Sequence, residues 1–335
     1  MIFHPGILAL VSGSFFITLM MFYAAAVGSI TALRWNFQSS SPVQLALERR
    51  TYLVSTIMNY VLGLQIISAL LFIYTVDDIH KLFVGAMCAT GSLNANPVGW
   101  QALMSKIAVC FLAGFWLVLN YLDQKMEDYP LVRLKYILLV VLLPFIILDS
   151  ALQLLYFLDL DPDIITSCCG SLFSQSGGGV AATLSGLPVK PAMAAFYAGY
   201  VLLLLASIIC LFSSKAFFRY FHSLAAGTML LVALAGMVSF ISIYIYELPT
   251  HHCPFDILQK GYGYIGYPLY ITLFCGIFYG LLPGVFQPLK NIVSLKEALA
   301  GIERSWIILS MACMSIFVIL STWQVVSSHL VYIAY

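Results

Sequence analysis

Apolar residues occur in eight long runs along the chain, and short polar segments separate these runs. Each run contains about 20 or more mostly apolar residues, the length that an α-helix needs to cross the hydrocarbon core of a bilayer. The strand-like alternation that marks a membrane barrel is absent from the sequence. The pattern predicts transmembrane helices at about 6–33, 51–75, 101–122, 132–157, 191–212, 223–246, 263–284 and 305–328.

The composition indicates that lipid solvates most of the surface. Of the 335 residues, 62% are hydrophobic and 9% are charged, whereas about 25% of the residues in a soluble domain are charged. The net charge of +1 argues against nucleic acid as a partner. We therefore expect an all-α polytopic membrane protein, with residues 1–335 forming a single membrane domain. This domain is a bundle of about eight transmembrane helices in the lipid bilayer, with a small, turn-rich extracytoplasmic cap.

Basic residues are distributed unequally between the two sides of the predicted bundle. One side holds Arg34, Arg49, Arg50, Lys125, Arg133, Lys135, Lys215, Arg219, Lys290, Lys296 and Arg304, and the other holds Lys81, Lys106, Lys190 and Lys260. The positive-inside rule places the first set in the cytoplasm. The chain is thus expected in the cell inner (cytoplasmic) membrane with both termini extracytoplasmic. No Lys or Arg precedes the first run, so we interpret it as a retained helix and not as a signal peptide.

Cysteine and histidine concentrate on the extracytoplasmic side of this topology. Four cysteines lie in extracytoplasmic segments, and the other four lie within predicted helices. The extracytoplasmic four are Cys88, Cys168, Cys169 and Cys253. Five of the six histidines lie at or near the same face, which are His4, His80, His251, His252 and His329. The sequence leaves three interpretations of this face open: structural disulfides, redox chemistry, and a site for a metal or haem.

We favour redox chemistry. Thiol–disulfide exchange proceeds by attack of a thiolate on a sulfur and needs paired cysteines. Cys88, Cys168, Cys169 and Cys253 are then the redox groups, exchanging electrons or disulfides with an extracytoplasmic protein partner or a membrane complex. Quinone is a compatible cofactor. Pairing Cys88 with Cys168 and Cys169 with Cys253, or the reverse, would join three extracytoplasmic segments. The chain contains no Cys-x-x-Cys motif.

Two alternatives stay open. Thiolate and imidazole together suit a transition metal such as copper or zinc, and His251, His252 and Cys253 are adjacent in the sequence. These three residues are the candidate ligands of a metal-handling or metal-transport protein. The second alternative is a non-catalytic membrane subunit of a larger complex, with disulfides that brace the cap. The motifs of P-loop ATPases, zinc proteases and nucleophile-elbow hydrolases are absent, and whether the protein is an enzyme is left undecided.

Two ionisable residues lie inside the predicted membrane segments. Lys106 and Asp149 fall in the extracytoplasmic halves of the third and fourth helices. Because consecutive helices usually pack together, the two side chains are expected to meet as an ion pair. Intramembrane charges are costly and mark function, so the pair is also a candidate proton relay or quinone contact. Near the other end of the chain, residues 286–305 predict a short amphipathic helix on the inner surface.

Overall fold

The computed structural model describes residues 1–35, 41–161, 163, 166, 185–213 and 215–330. These residues form helices joined by turns, and none of them belongs to a β-strand. The α-helices are α1 (Pro5–Arg34), α2 (Pro42–Asp78), α3 (Ala89–Leu93), α4 (Gly99–Gln124), α5 (Val132–Leu158), α6 (Val189–Phe212), α7 (Ala216–Gly236), α8 (Ser242–Tyr246), α9 (Gly266–Val285) and α10 (Val293–Ser327). A π-helical turn, Met237–Ile241, joins α7 directly to α8.

Within the described residues, eight helical segments are long and apolar enough to span a membrane. This finding confirms the predicted all-α polytopic membrane fold. Large apolar side chains stay exposed on these helices, for example Phe15 at 65%, Tyr60 at 71% and Trp323 at 67%. Such exposure is expected when hydrocarbon, and not water, surrounds the helix.

Helices α2 and α10 begin well before the apolar runs that predicted them. Helix α2 starts at Pro42, where Ser41 caps the helix by accepting a hydrogen bond from the Gln44 N–H at 3.2 Å. Helix α10 starts at Val293 and includes 293–305 of the predicted amphipathic segment, whereas Gln287–Asn291 form a separate 3₁₀ turn. Helix α10 contains no proline, and only Gly301 weakens it, so nothing in its sequence terminates the helix before the apolar run begins.

The described helices belong to two compact units. The first unit comprises Met1–Val84 and Ser92–Ile164. In it, α1 packs against α2 and α5, and α4 packs against the same two helices, which closes a four-helix ring. Its core is apolar and aromatic, and includes Met21, Leu62, Trp116, Tyr136 and Leu139.

The second unit comprises Gly85–Gly91 and Ile165–Tyr335. It has the same kind of ring, in which α7 packs against α6 and α9, and α10 packs against those two helices. Its core contains Phe196, whose ring centroid lies 5.5 Å from that of Phe240 and 5.8 Å from that of Phe317. The short segment Gly85–Gly91 belongs to this second unit, although the chain on both sides of the segment belongs to the first unit.

Candidate functional site

Two cysteines and an aspartate meet in the second unit. Sγ of Cys88, Sγ of Cys253 and a carboxylate oxygen of Asp256 all lie within 4.8 Å of one another. The two sulfur atoms are 3.5 Å apart. Both cysteines are fully buried, and Asp256 is 6% exposed. We call this group the Cys/Asp cluster. It joins two segments that are separated by more than 160 positions in the sequence.

The segment Gly85–Gly91 brings Cys88 to the cluster by a tight turn. Gly85 has φ of +86°, a backbone conformation that glycine adopts without strain. The Gly91 N–H donates to the Cys88 carbonyl at 3.0 Å. A Cβ at Gly91 would lie 2.6 Å from Cβ of Ala86, so only glycine allows the chain to fold back this closely. Gln259 fixes the same turn by donating from Nε2 to the Met87 carbonyl at 2.6 Å.

The connection between α8 and α9 brings Cys253 to the cluster. The Tyr246 hydroxyl donates to the Cys253 carbonyl at 2.6 Å, and the Tyr270 hydroxyl donates to the Pro254 carbonyl at 2.7 Å. These two bonds hold the backbone on both sides of the Cys253 side chain. Its sulfur accepts the Phe255 N–H at 3.4 Å and lies 3.4 Å from the Thr90 hydroxyl. Donors placed at a sulfur stabilise negative charge on it.

Asp256 lies three residues after Cys253 and is oriented by a histidine. Oδ2 of Asp256 is 2.5 Å from Nε2 of His251. Oδ1 is buried and accepts no hydrogen bond from any residue that the structure describes. Tyr246 packs edge-on against the His251 ring, with centroids 4.5 Å apart, and against Tyr262 at 4.7 Å. Burial raises the pKa of the Tyr262 hydroxyl, so this side chain stays neutral.

The two histidines predicted as metal ligands have different environments. His251 contacts Asp256, whereas Nδ1 of His252 lies 2.9 Å from the Val238 carbonyl in the π-helical turn. Burial lowers the pKa of His252, although its bond to the carbonyl acts in the opposite direction. Of the three predicted ligands, Cys253 alone has its donor atom in the cluster. The ligand set His251–His252–Cys253 stays a prediction, and the geometry adds Cys88 and Asp256 as neighbours of Cys253.

Cys168 and Cys169 lie outside the described residues, so their predicted redox role and their predicted disulfides stay predictions. Cys88 and Cys253, which the sequence assigned to different disulfides, are in contact with each other. Asp256 and Thr90 were missed by the sequence analysis. The only local signal was the position of Asp256, three residues after Cys253 in the stretch HHCPFD.

The predicted ion pair between Lys106 and Asp149 is present in the first unit. Nζ of Lys106 lies 2.7 Å from Oδ2 of Asp149, and Gln65 donates from Nε2 to the same oxygen at 2.8 Å. Each charged side chain is 1% exposed. The geometry therefore supports a role in joining α2, α4 and α5, and the predicted proton or quinone role stays a prediction.

Three further ion pairs with buried carboxylates were not anticipated from the sequence. Lys135 lies 2.6 Å from Asp123 in the first unit. In the second unit, Glu303 accepts from both Arg219, at 2.9 Å, and Lys290, at 2.6 Å. The sequence analysis placed these three cations on the cytoplasmic side without naming a partner for them, and Lys135 and Arg219 are buried within helices.

No protein-family model matches the chain, and no curated protein or solved structure matches it either. Two thiols in contact can lose two electrons together and form a disulfide. Two thiolates and a carboxylate can also bind a cation.

Proposed function

We propose that this chain is a membrane redox protein whose working group is the Cys88–Cys253 sulfur pair. The observation that carries the proposal is the 3.5 Å contact between the two sulfur atoms. A bonded disulfide has sulfurs about 2.05 Å apart, so a shift of about 1.5 Å converts the contact into a bond. The Phe255 N–H and the Thr90 hydroxyl lie at the Cys253 sulfur and favour Cys253 as the thiolate that attacks.

Burial of both sulfurs restricts the kind of oxidant that can reach the pair. Both cysteines are 0% exposed, and thiol–disulfide exchange with a folded protein needs an accessible sulfur. A small oxidant dissolved in the membrane, of the quinone class, suits a buried pair better. Two thiols and one quinone then give one disulfide and one quinol, with two electrons and two protons passing to the quinone. An extracytoplasmic protein partner, and the participation of Cys168 and Cys169, remain separate predictions.

We also infer that the cluster faces the extracytoplasmic side of a bacterial-type inner membrane. The support is the eleven-to-four division of Lys and Arg between the two sides of the bundle. In this orientation both chain termini are extracytoplasmic. Lys106 and Asp149 keep their predicted role of tuning or carrying a proton, which the redox proposal does not need.

The test uses the purified full chain in lipid nanodiscs, with a chelator present throughout. The protein is reduced, freed of reductant and mixed with a short-chain quinone without oxygen. Quinol is measured by ultraviolet absorbance, and thiols are mapped by alkylation and peptide mass spectrometry. We expect one quinol per chain and a disulfide that links the Cys88 and Cys253 peptides. Cys88→Ser and Cys253→Ser should abolish both signals, whereas Cys275→Ser, at an exposed cysteine in α9, should change neither.

Three outcomes would overturn the proposal. If the Cys88–Cys253 disulfide forms to the same extent at every quinone-to-quinol ratio, the bond is structural, as expected for a non-catalytic membrane subunit. Quinone-dependent disulfides that involve only Cys168 or Cys169 would place the redox pair elsewhere. Thiols that stay reduced would remove redox function from the cluster. Helicity by circular dichroism shows whether each serine variant has kept its fold.

A further inference from the structure

The donor atoms of the Cys/Asp cluster form a set that the redox proposal does not explain. Oxidation needs only the two sulfurs, yet a carboxylate oxygen of Asp256 lies within 4.8 Å of both. Cys88 and Cys253 are 0% exposed and Asp256 is 6% exposed. Thiolate sulfur and carboxylate oxygen are both zinc ligands, and zinc takes sulfur, nitrogen and oxygen ligands in a tetrahedral arrangement.

The charge of Asp256 also calls for a cation. Burying a carboxylate is costly unless a positive charge or several donors compensate for it. His251 faces Oδ2 at 2.5 Å, but Oδ1 accepts no hydrogen bond from the described residues. In the described part of the chain, no Lys or Arg forms an ion pair with Asp256. A buried carboxylate that lies beside two sulfurs and has one unpartnered oxygen is the environment that a bound cation would complete.

We propose that Cys88, Cys253 and Asp256 are the protein ligands of a zinc ion. With zinc–sulfur bonds of about 2.3 Å and tetrahedral angles, two thiolate ligands lie about 3.8 Å apart, close to the observed 3.5 Å. Three protein ligands leave one tetrahedral position for water or another donor. His251 acts as a positioning residue, because a hydrogen bond to a ligating carboxylate fixes its orientation.

Zinc binding makes the redox pair respond to metal, a step that rests on the proposed function. A zinc-bound pair consists of two thiolates. When a quinone takes two electrons from them and two protons from the solvent, a disulfide and a quinol form and Zn²⁺ leaves. A disulfide retains too little negative charge to hold the ion. The site therefore binds zinc in its reduced state and releases it in its oxidised state.

The first experiment measures zinc binding alone. The full chain in nanodiscs is reduced, kept without oxygen or quinone, and titrated with zinc against a competing chromophoric chelator. We expect one zinc per chain. Cys88→Ser, Cys253→Ser and Asp256→Asn should each lower the affinity by at least a hundredfold, and His251→Gln should lower it by about 10–100-fold. Cys275→Ser is the matched control, because Cys275 is an exposed cysteine in α9 and is not part of the cluster, and its affinity should match that of the parent.

Cobalt substitution tests the ligands directly. A cobalt ion at the site should give near-ultraviolet thiolate charge-transfer absorption, and Cys253→Ser should reduce it. The zinc site is overturned if Asp256→Asn binds zinc like the parent, if neither serine variant loses affinity, or if bound cobalt shows no thiolate band. Quinone added to the zinc-loaded chain should then release one zinc per quinol formed, and zinc that stays bound while the disulfide forms would overturn the redox link.

Failure of this inference can be told apart from failure of the proposed function. The zinc titration contains no oxidant, so its result does not depend on whether the pair is redox-active. The quinone assay of the proposed function contains a chelator, so its result does not depend on zinc. Zinc binding without quinone-dependent oxidation would support the metal site and contradict the redox function. Quinone-dependent oxidation without zinc binding would support the redox function and contradict the metal site.

Discussion

Removal of one partner from the Lys106–Asp149 pair should strongly destabilise the first unit. Nζ and Oδ2 are 2.7 Å apart, and both side chains are 1% exposed. At an effective dielectric constant of about 20, two unit charges at this separation attract each other by about 6 kcal/mol. Desolvation costs several kcal/mol for each ion, so the two contributions nearly cancel in the intact pair. When one partner is removed, the attraction is lost and the desolvation cost of the remaining buried charge is no longer offset.

We therefore expect Lys106→Met and Asp149→Asn each to lower the free energy of unfolding by about 3–5 kcal/mol. The double variant buries no charge, and Gln65 still has a side-chain oxygen at position 149 to which it can donate. Its loss should be much smaller than the sum of the two single losses. This non-additivity is the signature of a buried pair, whereas two independent packing defects would add.

The assay is reversible unfolding of the full chain in mixed micelles, followed by helicity, for the parent, both single variants and the double variant. Lys81→Met is the matched control. Lys81 also pairs with an aspartate at 2.8 Å, but its side chain is 68% exposed, so its loss should leave stability unchanged. Single variants no less stable than this control, or a double variant whose loss equals the sum, would refute the reasoning.

Two other predictions concern the second unit. Glu303→Gln should cost about 3 kcal/mol, because it removes the charge that offsets two buried or half-buried cations. Glu297→Gln, at an exposed position of the same helix, is its control in thermal unfolding and should have no effect. Gly280→Ala should cost about 1–3 kcal/mol, since its Cβ would lie 2.7 Å from Cβ of Ala226. Gly13→Ala, which meets no atom within 4 Å, should cost nothing in the same assay, and equal losses at the two glycines would contradict the packing argument.

The helices of this chain could be predicted from the sequence because a bilayer imposes a minimum length and an apolar composition on every span. The ends of the helices could not be predicted in the same way. Residues 293–304 are polar enough to look like a separate surface helix, but they continue into α10 because backbone hydrogen bonding propagates until a residue interrupts it. Apolar runs thus mark the part of a helix that lies in hydrocarbon, and not the whole helix.

Contacts between side chains were predicted only where neighbouring helices restrict the choice. Lys106 and Asp149 lie on consecutive spanning helices at similar depths, and their pairing followed from that placement. Arg219 and Glu303 are 84 positions apart, and nothing in the local sequence around either residue indicates the other. The contact between Cys88 and Cys253 could not be predicted either. The turn that carries Cys88 belongs to the second unit, although the residues on both sides of this turn belong to the first unit.

The spacing of the two sulfurs bears on the order of events in the proposed cycle. The observed 3.5 Å differs by about 0.3 Å from the spacing of thiolates on tetrahedral zinc, and by about 1.5 Å from a disulfide bond. Two of the hydrogen bonds that position this region are made to the backbone at Cys253 and Pro254, so the larger movement must come mainly from side-chain rotation or from the turn that carries Cys88. On this argument the reduced chain is preorganised for the metal, and the disulfide is the state that requires rearrangement. Zinc should therefore protect the pair, and quinone should oxidise the zinc-loaded chain more slowly than the zinc-free chain.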